Sequence, residues 1–103
     1  MKTLLLTSLS AALLTLSAAA SADQALAQKN ACMSCHGVDK KIVGPAFKDV
    51  AKKYAGDKTA EAKLLTKVKA GSKGVWGEIP MPPNPQVSDA DAKKIMGWVL
   101  SLK

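Results

Sequence analysis

The chain contains no arginine, although 15 basic residues against 8 acidic ones give it a net charge of +7. Every strong cation is therefore a lysine, poorly suited to the bidentate pairing with phosphates and base edges that nucleic-acid recognition uses. Histidine occurs once, at His36, so two imidazoles of one chain cannot share a metal. Cysteine is confined to Cys32 and Cys35, and with one histidine these fall short of the four ligands of a structural zinc site. Aromatics are scarce at 4%, namely Phe47, Tyr54, Trp76 and Trp98, so an apolar fraction of 48% has few large rings with which to fill an ordinary core. A length of 103 residues allows one small domain and excludes an enzyme with a separate substrate domain. Strand-like alternation is missing from residue 23 onward, which argues against the strand-helix-strand setting of a thioredoxin-like redox pair. Something other than side chains must occupy the centre.

The first segment has the layout of a secretory signal peptide: a basic start at Lys2, an apolar run from Leu4 to Leu16, and a small-residue site at Ala20-Ser21-Ala22. The competing reading is an uncleaved anchor, since Leu4 to Ala22 approaches the roughly 20 residues needed to span a bilayer. The direct succession of apolar run and cleavage site favours removal of residues 1–22. The expectation is an exported domain over residues 23–103, with no integral membrane segment of its own.

In an exported chain two cysteines would ordinarily suggest a disulfide. Their spacing points elsewhere, because Cys32-Met33-Ser34-Cys35-His36 is the c-type haem attachment signature. Two thiols one helical turn apart can each add across one haem vinyl group, which pins one macrocycle edge to a short backbone segment. The adjacent imidazole then lies beneath the iron as a proximal ligand. A disulfide closing so short a loop would contribute little loop entropy.

The remainder reads as short helices between Gly- and Pro-rich loops. Residues 23–31 contain no breaker and lead into the attachment site. Pro45 opens a second helix with Phe47, Val50, Ala51 and Tyr54 on one stripe, ending at Gly56. A third covers residues 59–70, capped by Thr59 or Asp57, burying Leu64, Leu65 and Val68 and stopping at Gly71. The last starts at Ser88, with Asp91 three residues on, and buries Ile95, Trp98, Val99 and Leu102. Helices this short are marginal alone in water and need a common apolar object to pack against.

A second axial ligand has to come from methionine. Met1 would leave with the leader, Met33 lies inside the attachment loop, and Met96 sits mid-helix, where core filling is the usual role. Met81 stands in Gly77-Glu78-Ile79-Pro80-Met81-Pro82-Pro83-Asn84-Pro85, whose prolines forbid helix and stiffen an extended path. A rigid loop suits a weak thioether ligand, although a plain surface linker would read similarly.

Over residues 23–103 the sequence resembles the small class I c-type cytochromes of bacteria, in particular short periplasmic ones of denitrifying organisms. The resemblance rests on Cys32 to His36, on Val43-Gly44-Pro45-Ala46-Phe47-Lys48-Asp49-Val50, on Gly71-Ser72-Lys73-Gly74-Val75-Trp76-Gly77, on Ile79 to Asn84 and on Trp98-Val99-Leu100-Ser101. It implies an all-α fold of about four helices wrapped around one covalent haem c, with His36 and Met81 as axial ligands. It further implies that the Pro45 carbonyl accepts from the free nitrogen of His36. Trp76 would reach a haem propionate and Asn84 the neighbourhood of the Met81 sulfur. Lys67 stands where some members carry an arginine near the propionates, and a lysine cannot make the same bidentate contact. The residue-level alternatives are that Pro45 starts a helix, Trp76 packs and Asn84 caps a turn.

A haem with both axial positions filled can only exchange electrons, so the expectation is a periplasmic electron carrier, not an enzyme. The resemblance suggests a quinol-oxidising complex upstream and a nitrite reductase or terminal oxidase downstream. The rival readings are a five-coordinate haem sensor or peroxidase-like catalyst, and a haem-free thiol-disulfide oxidoreductase. Lys40, Lys41, Lys48, Lys52 and Lys53 follow the attachment site closely, so the expected partners are redox proteins with acidic docking surfaces, met by a monomer.

Overall fold

The computed structural model describes residues 23–103, and the expected leader at 1–22 lies outside them. The described residues hold four helices and no strand beyond two isolated bridges, which is the expected all-α class. Helix α1 covers residues 23–29, shorter than the expected 23–31. It stops because the Leu26 carbonyl is taken by both the backbone N–H (3.2 Å) and the side-chain amide (3.0 Å) of Asn30, and Ala31 then turns left-handed at φ 62°. A left-handed alanine costs on the order of 1–2 kcal/mol, and here it starts the 3-10 turn Cys32–Ser34. The N–H groups of Cys35 and His36 both converge on the Cys32 carbonyl, at 3.3 and 3.0 Å.

Helix α2 runs Phe47–Lys53 and does not open at Pro45, because Ala46 remains extended at ψ 141°. Its first donors are satisfied outside the helix: Phe47 N–H reaches the Gly37 carbonyl at 2.9 Å and Lys48 N–H reaches Val38 at 3.1 Å. The helix is thereby docked onto the attachment loop. Tyr54, expected on its stripe, falls just past its end and is half-buried.

Helix α3, Ala60–Ala70, is organised by Asp57. One carboxylate oxygen accepts from the Thr59 N–H (2.8 Å) and hydroxyl (2.7 Å) and the other from Lys63 Nζ (2.9 Å), while the Thr59 side chain makes no cap of its own. Leu64 and Val68 are buried, whereas Leu65 is only half-buried. Gly71, at φ 81°, ends the helix and returns its N–H to Lys67. Helix α4, Asp89–Ser101, is capped by Ser88 Oγ, which accepts from Asp91 N–H at 3.1 Å. Its buried stripe holds Ala92, Ile95, Met96, Trp98 and Val99, and Leu102 lies beyond the helix, half-buried. Lys69 ties the two helices together, pairing with Asp89 at 3.1 Å and donating to the Val87 carbonyl.

Helix α4 packs against both α2 and α3, and the three leave a space between them that their side chains do not fill. Ile95, Val87 and Val99 are the largest of the fully buried side chains. Among the described residues no helix is long and apolar enough to cross a membrane.

Candidate functional site

The space enclosed by the helices is a cavity of about 380 Å³. Phe47 and Val50 of α2, Leu64 and Val68 of α3, and Ile95 and Val99 of α4 give it an apolar wall. Its remaining sides come from the 3-10 turn and from the loop between α3 and α4. Cys32, Cys35, His36 and Met81, widely separated in sequence, all line it.

His36 is held from several directions. Its Nδ1 lies 2.8 Å from the Pro45 carbonyl, the partner that the resemblance implied. Paired with a carbonyl, Nδ1 carries the proton, so Nε2 keeps a free lone pair. The imidazole stacks on Phe47 with centroids 4.9 Å apart and planes 17° apart. Phe47 in turn meets Trp98 edge-on at 5.6 Å, so the histidine is braced through α2 to α4. Pro45 can serve His36 because α2 starts late: a helix beginning at Pro45 would draw that carbonyl into its first turn. Both thiols are free and half-buried. Burial pushes the Cys32 thiol up, so it brings no charge to the apolar wall.

Met81 is fixed by its backbone. Its N–H donates to the Ser72 carbonyl at 2.8 Å and its carbonyl accepts from Ser72 N–H at 3.0 Å. Asn84 N–H, three residues on, donates to the Val68 carbonyl at 2.8 Å and ties the loop to the end of α3. Gly71 has to be glycine here: its φ is 81°, and a Cβ would stand 2.7 Å from the Met81 carbonyl oxygen. Met96 also lines the cavity while packing in the core, and Met33 packs against the core elsewhere.

One subsidiary expectation changes. The Asn84 side chain does not turn to the Met81 sulfur; its amide nitrogen donates to the Pro82 carbonyl at 3.0 Å, closing a local turn. Lys67 lines the cavity, and its Nζ is engaged by the Tyr54 hydroxyl at 3.1 Å. Trp76 stands at the cavity mouth, 40% exposed, with Lys53 Nζ 5.2 Å from its ring centroid. The sequence pattern places Phe47 only on a helical stripe and assigns Gly44 no role. Their nearness to His36 leaves no periodic signal.

The donor set suits a haem: an apolar cavity, two thiols on one short turn, an imidazole with one nitrogen free and a thioether on a rigid loop. Comparison with known proteins agrees. Residues 20–103 match the family model described as Cytochrome c. Cytochrome c-552 of Nitrosomonas europaea is 53% identical over 103 residues, covering 100% of both chains. Cytochrome c-551 of Pseudomonas aeruginosa is 54% identical over 80 residues, 78% of this chain and 76% of that protein. The crystal structure of the Nitrosomonas europaea cytochrome c552 superposes with a TM-score of 0.76 at 57% identity, covering 78% of this chain and 99% of that one. The class 1 cytochrome MtoD of Sideroxydans lithotrophicus gives 0.65 at 41%, covering 80% and 94%. The haem-free oxidoreductase reading falls with these likenesses. The chain belongs to the cytochrome c family, electron carriers and not enzymes, built around one covalently bound haem c.

Proposed function

We propose that this protein shuttles single electrons between respiratory partners in the periplasm, on a haem joined to Cys32 and Cys35 and ligated by His36 and Met81. The observation that carries this reading is that all four side chains line one apolar cavity while Pro45 occupies the second nitrogen of His36. Held by Cys32, Cys35, His36 and Met81, the haem would supply a one-electron iron couple and would offer no site for a substrate.

The chain's residues set how that couple behaves. Pro45 holds the His36 proton on Nδ1 and keeps Nε2 directed to its task. The Ser72 pairing and the prolines around Met81 keep the thioether from swinging away between oxidation states. Ligands held in place in this way would keep reorganisation small. The Met81 thioether and the apolar wall would both favour the reduced form of a bound haem and raise its potential.

Partner encounter belongs at the cavity mouth. Val43, Trp76 and Ile79 are exposed there, and Lys41 and Lys73 line the same opening. Of the lysines expected to form a basic zone, Lys48 is paired with Asp39 at 2.5 Å and Lys53 lies over Trp76, whereas Lys40 and Lys41 are exposed. An acidic partner surface complements this rim and would be attracted over distance without a long-lived complex. Residues 1–22 act as the export signal, and the carrier works as a monomer over residues 23–103.

The test is an optical spectrum of purified protein, oxidised and reduced, followed by carbon monoxide. A low-spin ferrous spectrum, a sulfur-to-iron charge-transfer band when oxidised and no response to carbon monoxide are expected. Ready carbon monoxide binding would replace this reading with the five-coordinate sensor or catalyst.

A further inference from the structure

Gly44 differs from the other glycines in what surrounds it. Its φ is not among the positive values found at Gly56, Gly71, Gly74 and Gly77, so no left-handed turn requires glycine there. What excludes a side chain is the His36 ring. A Cβ on Gly44 would stand 2.5 Å from Cε1, 2.9 Å from Nδ1 and 3.1 Å from Nε2 of the imidazole. Three ring atoms at such similar distances place that Cβ over the ring rather than beyond its edge.

Neither neighbour can yield easily. The Gly44 backbone is tied on both sides, its N–H donating to the Cys35 carbonyl at 2.8 Å and its carbonyl accepting from Ile42 N–H at 3.2 Å. The imidazole is held by Pro45 at Nδ1 and by the Phe47 stack. Carbon atoms in ordinary contact lie about 3.5–4.0 Å apart, so one methyl group would move the ring by roughly 1 Å. A shift of that size breaks a 2.8 Å hydrogen bond.

We propose that Gly44 is a positioning residue for the proximal ligand. Its bare Cα forms the seat that fixes the plane of the His36 imidazole and keeps Nδ1 on the Pro45 carbonyl. The proposal rests on the reading of His36 as iron ligand. It goes beyond that reading in assigning the ring's orientation to a residue that makes no bond to it. The orientation of a ligand ring sets how the iron d orbitals split, so it shows in the ferric spectrum even where the ligands are unchanged.

The experiment compares holoprotein of wild type, Gly44→Ala and Gly97→Ala, the last a helical site where a Cβ meets nothing within 4 Å. Gly44→Ala is expected to change the g-values of the low-spin ferric electron paramagnetic resonance signal. Exchange of the His36 Nδ1 proton in the ferrous protein should accelerate about tenfold, the scale of one lost hydrogen bond. Gly97→Ala should match wild type in both. Gly44→Ala spectra and exchange superimposable on wild type overturn the proposal. Should Gly44→Ala take up no haem, the wild-type ferrous protein still decides. Cross-relaxation between the Gly44 α-protons and the His36 Cε1 proton is expected, and its absence overturns the seat. A wild-type ferric protein without a low-spin, histidine-ligated signal sinks the ligand assignment instead.

Discussion

Preventing haem attachment should unfold most of this protein. A cavity of about 380 Å³ bounded by three helices is the reason. At roughly 24 cal/mol per Å³, holding such a space open and dry costs at most on the order of 9 kcal/mol, less where water enters at the mouth. A domain of roughly 80 residues has a total stability of about 4–12 kcal/mol, at roughly 0.05–0.15 kcal/mol per residue. The two figures are of the same size, so the helices cannot keep their arrangement around an unfilled centre. Nor do they gain much singly: α2 has 7 residues, α3 has 11 and α4 has 13, below or within the roughly 12–15 under which an isolated helix is marginal in water. Far-UV circular dichroism of a Cys32→Ala/Cys35→Ala chain produced without haem is the assay. Most of the helical signal should be absent, with no cooperative melt. Full native helicity melting in one sharp transition would show that the polypeptide alone supports the fold, and the reasoning would fail.

Other perturbations separate the roles of individual residues. Met81→Ala should lose the sulfur-to-iron band and admit carbon monoxide, whereas Met96→Leu should keep the band; the reverse pattern in the optical spectrum would move the ligand to α4. Phe47→Ala removes the ring between His36 and Trp98 and should destabilise the holoprotein by about 3–5 kcal/mol in denaturant titration. The bonds from Thr59 and Lys63 hold the Asp57 carboxyl at about 2, below the usual carboxylate range. Because the folded value is the lower one, its contribution is complete above about pH 4 and disappears as the pH falls through about 2. The melting-temperature gap between wild type and Asp57→Asn should therefore narrow over that window and stay constant from pH 5 to 8. Electron transfer to an acidic partner should slow steeply between low salt and 0.1 M, where the screening length is about 10 Å, and a flat profile would remove the lysines from any steering role.

How much of this was legible beforehand depended on the range of the interaction. The attachment motif, the Ser88 cap and the stripes of α3 and α4 are patterns within one or two helical turns, where geometry follows directly from spacing. The late start of α2 was not legible: the pattern from Pro45 onward is helical, but the chain obtains its first donors' partners from Gly37 and Val38 in another segment. The sequence leaves Asn84 open between the Met81 sulfur and a local turn for a related reason, since a side chain can close a turn with Pro82 as readily as reach across the loop. Rigid proline spacing marked Met81 as a candidate, yet its place on the wall shared with His36 follows from the Ser72 pairing and the anchor of Asn84 on α3.

By itself, then, the sequence determined the chemical type of the site and the existence of the helices, because covalent spacing and helical periodicity are short-range properties. Only the tertiary structure decided which surfaces meet. The Phe47 stack, the Gly44 seat and the common wall of Cys32, Cys35, His36 and Met81 are contacts between segments, and they arise when the helices pack.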